Sequence, residues 1–307
     1  MKVCAVWDPE VRKRRLCVVT NGEVAPVGRS TGYTDLSHLL AHQYGSLEDS
    51  VAEAGTASSI GRFEEIEAAE VSGRKLHLCA PVTPDEVWAA GVTYERSRDA
   101  RMHESTDQDV YARVYEAERP ELFFKATGPR VVGPGAPVGL RSDSSWQVPE
   151  PEVALVLQNN GTIAGYTLGN DLSSRDIEGD NPLYLPQAKI FAGSCALGPT
   201  VVSASEVEDP YDIAIEMQIR RADEVVYSGS ITTGRLRKRF DDLVAYLKAD
   251  NWIAPGTVLM TGTGLVPPDD FTLQPDDVID ISNEAIGTLR NRCFPAADLP
   301  APTGWGG

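Results

Sequence analysis

Two carboxylates one residue apart, Glu150 and Glu152 in WQVPEPEVALVL, stand at the head of an apolar run that reads as a buried strand. Positions i and i+2 of a strand face the same side, so both acids would be presented together. Like charges so placed repel, and three arrangements make them tolerable: solvation at an exposed strand end, protonation of one acid, or a shared cation. Downstream, VALVLQ is followed by the turn Asn159-Asn160-Gly161 and a second apolar stretch, TIAGYTLGNDLSSRD. That pattern predicts a hairpin. Folding it about residues 159–161 sets 168–171 opposite 149–152 and returns Asp171 beside the glutamate pair. Three carboxylates without a nearby histidine or cysteine select a hard divalent ion, Mg²⁺ first, with Mn²⁺ or Ca²⁺ as alternatives.

Lys189, in YLPQAKIFAG, lies between a Pro-containing loop and small residues. Beside a metal-bound oxo acid, such a lysine can act as a base or as a cation steadying an enolate. The turn Thr261-Gly262-Thr263 offers amides and hydroxyls suited to a substrate carboxylate. The four histidines, His38, His42, His77 and His103, all lie outside these segments and are read as surface or packing residues.

The elements that must position these groups are mostly strands. From residue 76 onward, short apolar runs are punctuated by Gly and Pro, with few long helices, whereas residues 1–75 combine an Asn-Gly hairpin, LCVVTNGEVAPVG, with an acidic, alanine-rich helical stretch. The expected architecture is α+β and mainly β, with a small N-terminal α/β domain (1–75) before the catalytic domain (76–307). GRLRKRF, the one basic cluster, runs into DDLVAYLKADN with Leu236, Phe240, Leu243 and Leu247 at helical spacing, and is read as a solvated helix face.

A formal net charge of −17 disfavours nucleic acid as a partner. Five scattered cysteines, none in a C-x-x-C pair, suggest neither a disulfide framework nor zinc, and fit a reducing cytoplasm. No stretch has the roughly 18 apolar residues that span a bilayer, and the first residues lack a long apolar core. The expectation is a cytoplasmic protein with no membrane partner.

Taken together, PEPEVALVL, GYTLGNDLSSRD, AKIFAGSCALGP, TGTG and IGTLRN resemble the fumarylacetoacetate hydrolase superfamily. The resemblance implies a rolled mixed β-sheet, Mg²⁺ on Glu150, Glu152 and Asp171, functional roles for Lys189 and Thr263, and assembly as a homodimer or homotetramer. Hydrolases and decarboxylases of that superfamily often carry G-x-N-Y-x-x-H, whereas this chain reads GVTYERS, with Thr93 at the asparagine position and Ser97 at the histidine position. PDEVWAAGVTYERSRDAR, VYEAERPELFFKAT and NPLYLPQAKIFAG are similar to the branch containing 2-keto-3-deoxy-D-arabonate dehydratase, which implies that Glu121 is an active-site acid or base. Lys125, in LFFKAT, is near enough to consider but is not assigned. Tyr94 and Arg96 are expected to line the entrance toward the substrate.

The implied chemistry is that of a hydro-lyase acting on a small 2-oxo acid. A chelated 2-keto-3-deoxypentonate becomes acidic at C3, and the metal-stabilised enolate expels the C4 hydroxyl as water on the way to 2,5-dioxopentanoate. Two rivals remain: a Mg²⁺-dependent acylpyruvate or fumarylpyruvate hydrolase, and an idle scaffold that keeps the carboxylates for structure only.

Overall fold

Along the strand Pro151–Leu157, Val153, Leu155 and Leu157 alternate with Ala154 and Val156, and every residue is buried. The odd-numbered set packs into one apolar core and the even-numbered set into another, so this strand is covered on both faces. The computed structural model describes residues 1–28, 32–42, 45–95 and 113–302. Among them, a 12-stranded sheet carries this strand near its middle, and a 5-stranded sheet packs over one of its faces. Ile215, Met217, Ile219, Ile279, Ile281 and Leu289 of the smaller sheet join Leu155 and Leu168 of the larger one in the first core.

The expected hairpin forms. Pro151–Leu157 pairs antiparallel with Ile163–Asp171, with Glu152 opposite Gly169 and Pro151 opposite Asn170. Asp171 donates its N–H to the Glu150 carbonyl at 2.9 Å, which extends that register one residue further. A short ribbon, Gln147–Val148 against Ser173–Ser174, carries the pairing beyond the site.

The sheet is mixed, as the resemblance implied. Val258–Met260 runs antiparallel to the Pro151–Leu157 strand on one side and parallel to Val87–Gly91 on the other, and Val87–Gly91 then pairs antiparallel with Glu121–Ala126. Five neighbouring strands therefore end close together at one edge. The N-terminal hairpin also forms, with Lys13–Thr20 against Glu23–Pro26 and Asn21-Gly22 in the turn. Its strands do not make a sheet of their own: Lys2–Asp8 pairs with Cys195–Ser203, so residues on both sides of position 75 share the large sheet.

The basic cluster departs from expectation. The helix starts only at Phe240 and runs to Lys248, because Leu236 is held in a bridge to Tyr94 while Arg237 pairs with Glu116 and Lys238 donates to the Ala117 carbonyl. Phe240, Leu243 and Leu247 keep the predicted buried face. Among the described residues, no helix is long and apolar enough to cross a membrane.

Candidate active site

Each of the five adjoining strands delivers a group to the same place. Glu150 and Glu152 come from the start of the central strand, and Asp171 from the end of its hairpin partner. One carboxylate oxygen of each lies within 4.8 Å of the other two, and all three residues are buried. On the other side of the central strand, the chain leaving Val258–Met260 turns so that the Gly262 N–H donates to Glu152 Oε2 at 2.6 Å. Gly262 has φ +93, a left-handed conformation that glycine adopts without strain, and a Cβ there would lie 2.0 Å from the Thr93 hydroxyl.

Next in the sheet, Gly91 faces Glu121 across the Val87–Gly91 and Glu121–Ala126 pair. A Cβ built on Gly91 would lie 2.0 Å from Glu121 Oε2, so the Glu121 carboxylate occupies the space a side chain would take. Gly91, Val92, Phe123 and Thr263 join the three acids, Arg175 and Lys189 in walling a small cavity of about 10 Å³. That is room for roughly one water-sized sphere. Val92 is β-branched yet sits at φ +52, a strained conformation concentrated at the cavity wall.

Three cations contact Glu150 and Asp171. Lys189, the last residue of the helix Leu185–Lys189, donates to Glu150 Oε2 at 2.6 Å, Asp171 Oδ2 at 3.0 Å and the Ser173 hydroxyl at 2.5 Å. Arg175, the first residue of the next helix after Asp171, donates to Glu150 Oε1 at 2.6 Å. Lys125 is fully buried, 2.5 Å from Asp171 Oδ1, and also donates to the backbone carbonyls of Leu172 and Lys189. Burial, reinforced by the neighbouring Asp171 and Glu150 charges, pushes the Glu152 carboxyl well above the usual range.

These residues suit a divalent cation. The donor set is all oxygen, the cavity is ion-sized, and the Lys189 ammonium already places a positive charge between two of the acids. Among the described residues, this is the only group of three or more histidine, cysteine, aspartate or glutamate side chains close enough to hold a metal.

The other expected site residues fall as follows. Thr263 lines the cavity, and its hydroxyl exchanges hydrogen bonds with the Leu265 backbone. The Thr261 hydroxyl is turned back on the Val153 carbonyl, and the Gly262 amide serves a carboxylate of the protein rather than standing open to a substrate. Tyr94 is buried, and burial together with the nearby Glu152 raises its phenol far above the ordinary value. Arg96, Ser97 and His103 lie outside the described residues. Ser173 and Arg175, which the sequence analysis does not assign, sit in the same motif as Asp171 and contact Lys189 and Glu150. Their offsets of two and four residues from Asp171 were the available signal.

Comparison with known proteins identifies the family. Residues 86–293 match the model of the fumarylacetoacetate (FAA) hydrolase C-terminal family. A probable 2-keto-3-deoxyxylonate dehydratase of Haloferax volcanii is 50% identical over 215 residues, 70% of this chain and 74% of that one. The 2-dehydro-3-deoxy-D-arabinonate dehydratase of Saccharolobus solfataricus is 44% identical over 218 residues, 70% and 73% of the two chains. A solved 2-keto-3-deoxy-D-arabinonate dehydratase, complexed with magnesium and 2,5-dioxopentanoate, superimposes with a TM-score of 0.81 at 33% identity, covering 96% of this chain and 99% of that one.

Proposed function

The chain belongs to the fumarylacetoacetate hydrolase family, and from that premise we propose that it is a magnesium-dependent hydro-lyase that converts a 2-keto-3-deoxypentonate to 2,5-dioxopentanoate. The observation that carries this reading is the pair of groups beside the acid triad: the Lys189 side chain on the wall of its cavity and the Glu121 carboxylate packed against Gly91. An elimination needs a base for the C3 proton and an acid for the leaving hydroxyl, and we assign these two residues to those roles.

Glu150, Glu152 and Asp171 would hold the cation. Bound there, Mg²⁺ supplies Lewis-acid polarisation of the 2-keto group, which makes the C3 hydrogens acidic. Lys189, aimed by its hydrogen bond to Ser173, takes the C3 proton. Glu121 delivers a proton to the C4 hydroxyl, which departs as water and leaves a C3=C4 double bond. A C5 proton then moves to C3, giving an enol at C4=C5 that becomes the aldehyde. Each positioned proton-transfer group contributes roughly 10²–10⁴-fold.

The assay is a panel of 2-keto-3-deoxypentonates and acylpyruvates, incubated with Mg²⁺-loaded protein and with chelator. The reading predicts an aldehyde from the deoxypentonates, lost with chelator. Pyruvate from acylpyruvates alone would replace it with the hydrolase, and no reaction with either would leave a scaffold.

The same reading places the protein in the cytoplasm, in pentose catabolism, where its five free thiols stay reduced. It also takes the protein to be a homodimer or homotetramer. Exposed apolar residues such as Leu183 (83%) and Trp252 (96%) support an assembly that covers them.

A further inference from the structure

Val87 pairs with Ala126 and Trp88 with Phe124, which leaves Lys125 as the extra residue of a bulge in the strand Glu121–Ala126. A bulge gives up ladder hydrogen bonds and re-aims a side chain. Here the side chain is an ammonium with no exposure to solvent, directed at the two segments that deliver Asp171 and Lys189.

Lys125 Nζ lies 2.5 Å from Asp171 Oδ1 and donates to the backbone carbonyls of Leu172 at 3.0 Å and Lys189 at 2.5 Å. The Lys189 carbonyl stands at the end of the helix Leu185–Lys189, where the helix itself supplies no donor. The Ser194 hydroxyl is its second donor, at 2.9 Å. Two donors therefore hold the Lys189 main chain, while its side chain reaches Glu150, Asp171 and Ser173. Burying an ammonium is costly unless it is paired and hydrogen-bonded, and an apolar residue of similar volume would fill the same space without that cost. What the ammonium adds is a fixed link between a carboxylate of the triad and the backbone of Lys189.

We propose that Lys125, seconded by Ser194, is a positioning residue for the proton transfer at C3: through the Lys189 carbonyl it fixes where the Lys189 side chain stands relative to Asp171. Lys189 lines the triad's cavity and Lys125 does not, so the influence of Lys125 on the reaction passes through the residues it holds. This role rests on the reading of Lys189 as the group that takes the C3 proton.

The test is C3 hydrogen exchange of 2-oxopentanoate in D₂O, measured on wild type, Lys125→Met and Ser194→Ala at saturating Mg²⁺ and keto acid, beside calorimetric titration with each ligand. Lys125→Met is expected to bind Mg²⁺ at least as tightly as wild type and 2-oxopentanoate within about threefold, yet to exchange about 10²-fold more slowly per occupied site, the size of effect that a misplacement of roughly 1 Å produces. Ser194→Ala, which removes one neutral hydrogen bond to the same carbonyl, is expected to exchange about fivefold more slowly with both affinities kept. A merely structural Lys125 would lower the number of sites that titrate and leave the rate per occupied site alone. Wild-type rates per occupied site in both variants overturn the proposal, and so does a loss accounted for by weaker binding of the ion or the keto acid. If Lys125→Met does not fold, Ser194→Ala decides by the same comparison, and a wild-type rate there overturns the role. Exchange by wild type that the variants keep sinks this role alone, whereas no exchange by wild type sinks the enolate chemistry and this role with it.

Discussion

Glu121 Oε2 lies 2.0 Å from where a Cβ of residue 91 would be, so the bare backbone of Gly91, which itself lines the triad's cavity, is what lets the Glu121 carboxylate pack against it. The atom displaced by a methyl group there would be the far end of a flexible side chain. Gly91→Ala is therefore expected to leave the fold and Mg²⁺ affinity close to wild type while lowering kcat by roughly 10²-fold or more. Glu121→Gln should lose activity to a similar degree. Steady-state kinetics beside calorimetric Mg²⁺ binding checks both, and a fully active Gly91→Ala enzyme would remove Glu121 from the reaction.

Lys189 competes with any cation for Glu150 and Asp171, at 2.6 and 3.0 Å. Lys189→Met removes that competitor, so Mg²⁺ is expected to bind at least as tightly as to wild type while turnover falls by roughly 10²–10⁴-fold. Weaker Mg²⁺ binding in this variant would mean that Lys189 organises the acids rather than serving the substrate.

Lys125 and Lys189 are both buried counter-ions of Asp171. Lys125→Met leaves that carboxylate with Lys189 alone, a destabilisation below the roughly 3–5 kcal/mol of a buried charge left with no partner. A divalent ion on the triad supplies replacement positive charge, so the loss measured by thermal unfolding should shrink when Mg²⁺ is present. An equal loss with and without the ion would argue that Asp171 does not contact it.

Glu152 gives the site a pH dependence. Its folded-state carboxyl is raised well above the ordinary 4.5, so the folded protein holds this proton over a range in which the unfolded chain has lost it. The contribution to metal-free stability is thus fully present below about 4.5 and is lost as pH rises through the raised value. Metal-free Glu152→Gln should show a flatter pH profile of thermal stability, together with loss of the Mg²⁺-induced stabilisation. Mg²⁺ binding to wild type should release protons and tighten with rising pH. Titrations in two buffers of different ionisation enthalpy measure that release, and none at neutral pH would contradict it.

Much of this site was legible in the sequence because its central piece is local. One turn at 159–161 and the two-residue period of a strand suffice to bring Asp171 to Glu150 and Glu152, and the pairing follows that register. Lys125 and Gly91 were not legible in the same way. Their importance depends on Val87–Gly91 and Glu121–Ala126 lying next to each other beyond the Val258–Met260 strand, an order that no local pattern encodes. Thr263 of the Thr261-Gly262-Thr263 turn lines the cavity, yet the Gly262 amide is committed to Glu152, a long-range contact that no local pattern encodes. The division at residue 75 reflects a change of texture that the strand order crosses, since Lys2–Asp8 is held by Cys195–Ser203.

The most direct measurement of the central claim is hydrogen exchange at C3. The unreactive analogue 2-oxopentanoate, incubated in D₂O with the protein and followed by proton NMR, should lose its C3 signal with Mg²⁺ present, at a rate that collapses with chelator, in Glu152→Gln and in Lys189→Met. Exchange no faster than in buffer alone, or exchange indifferent to the metal, would contradict a cation on Glu150, Glu152 and Asp171 acidifying C3 for Lys189 to deprotonate.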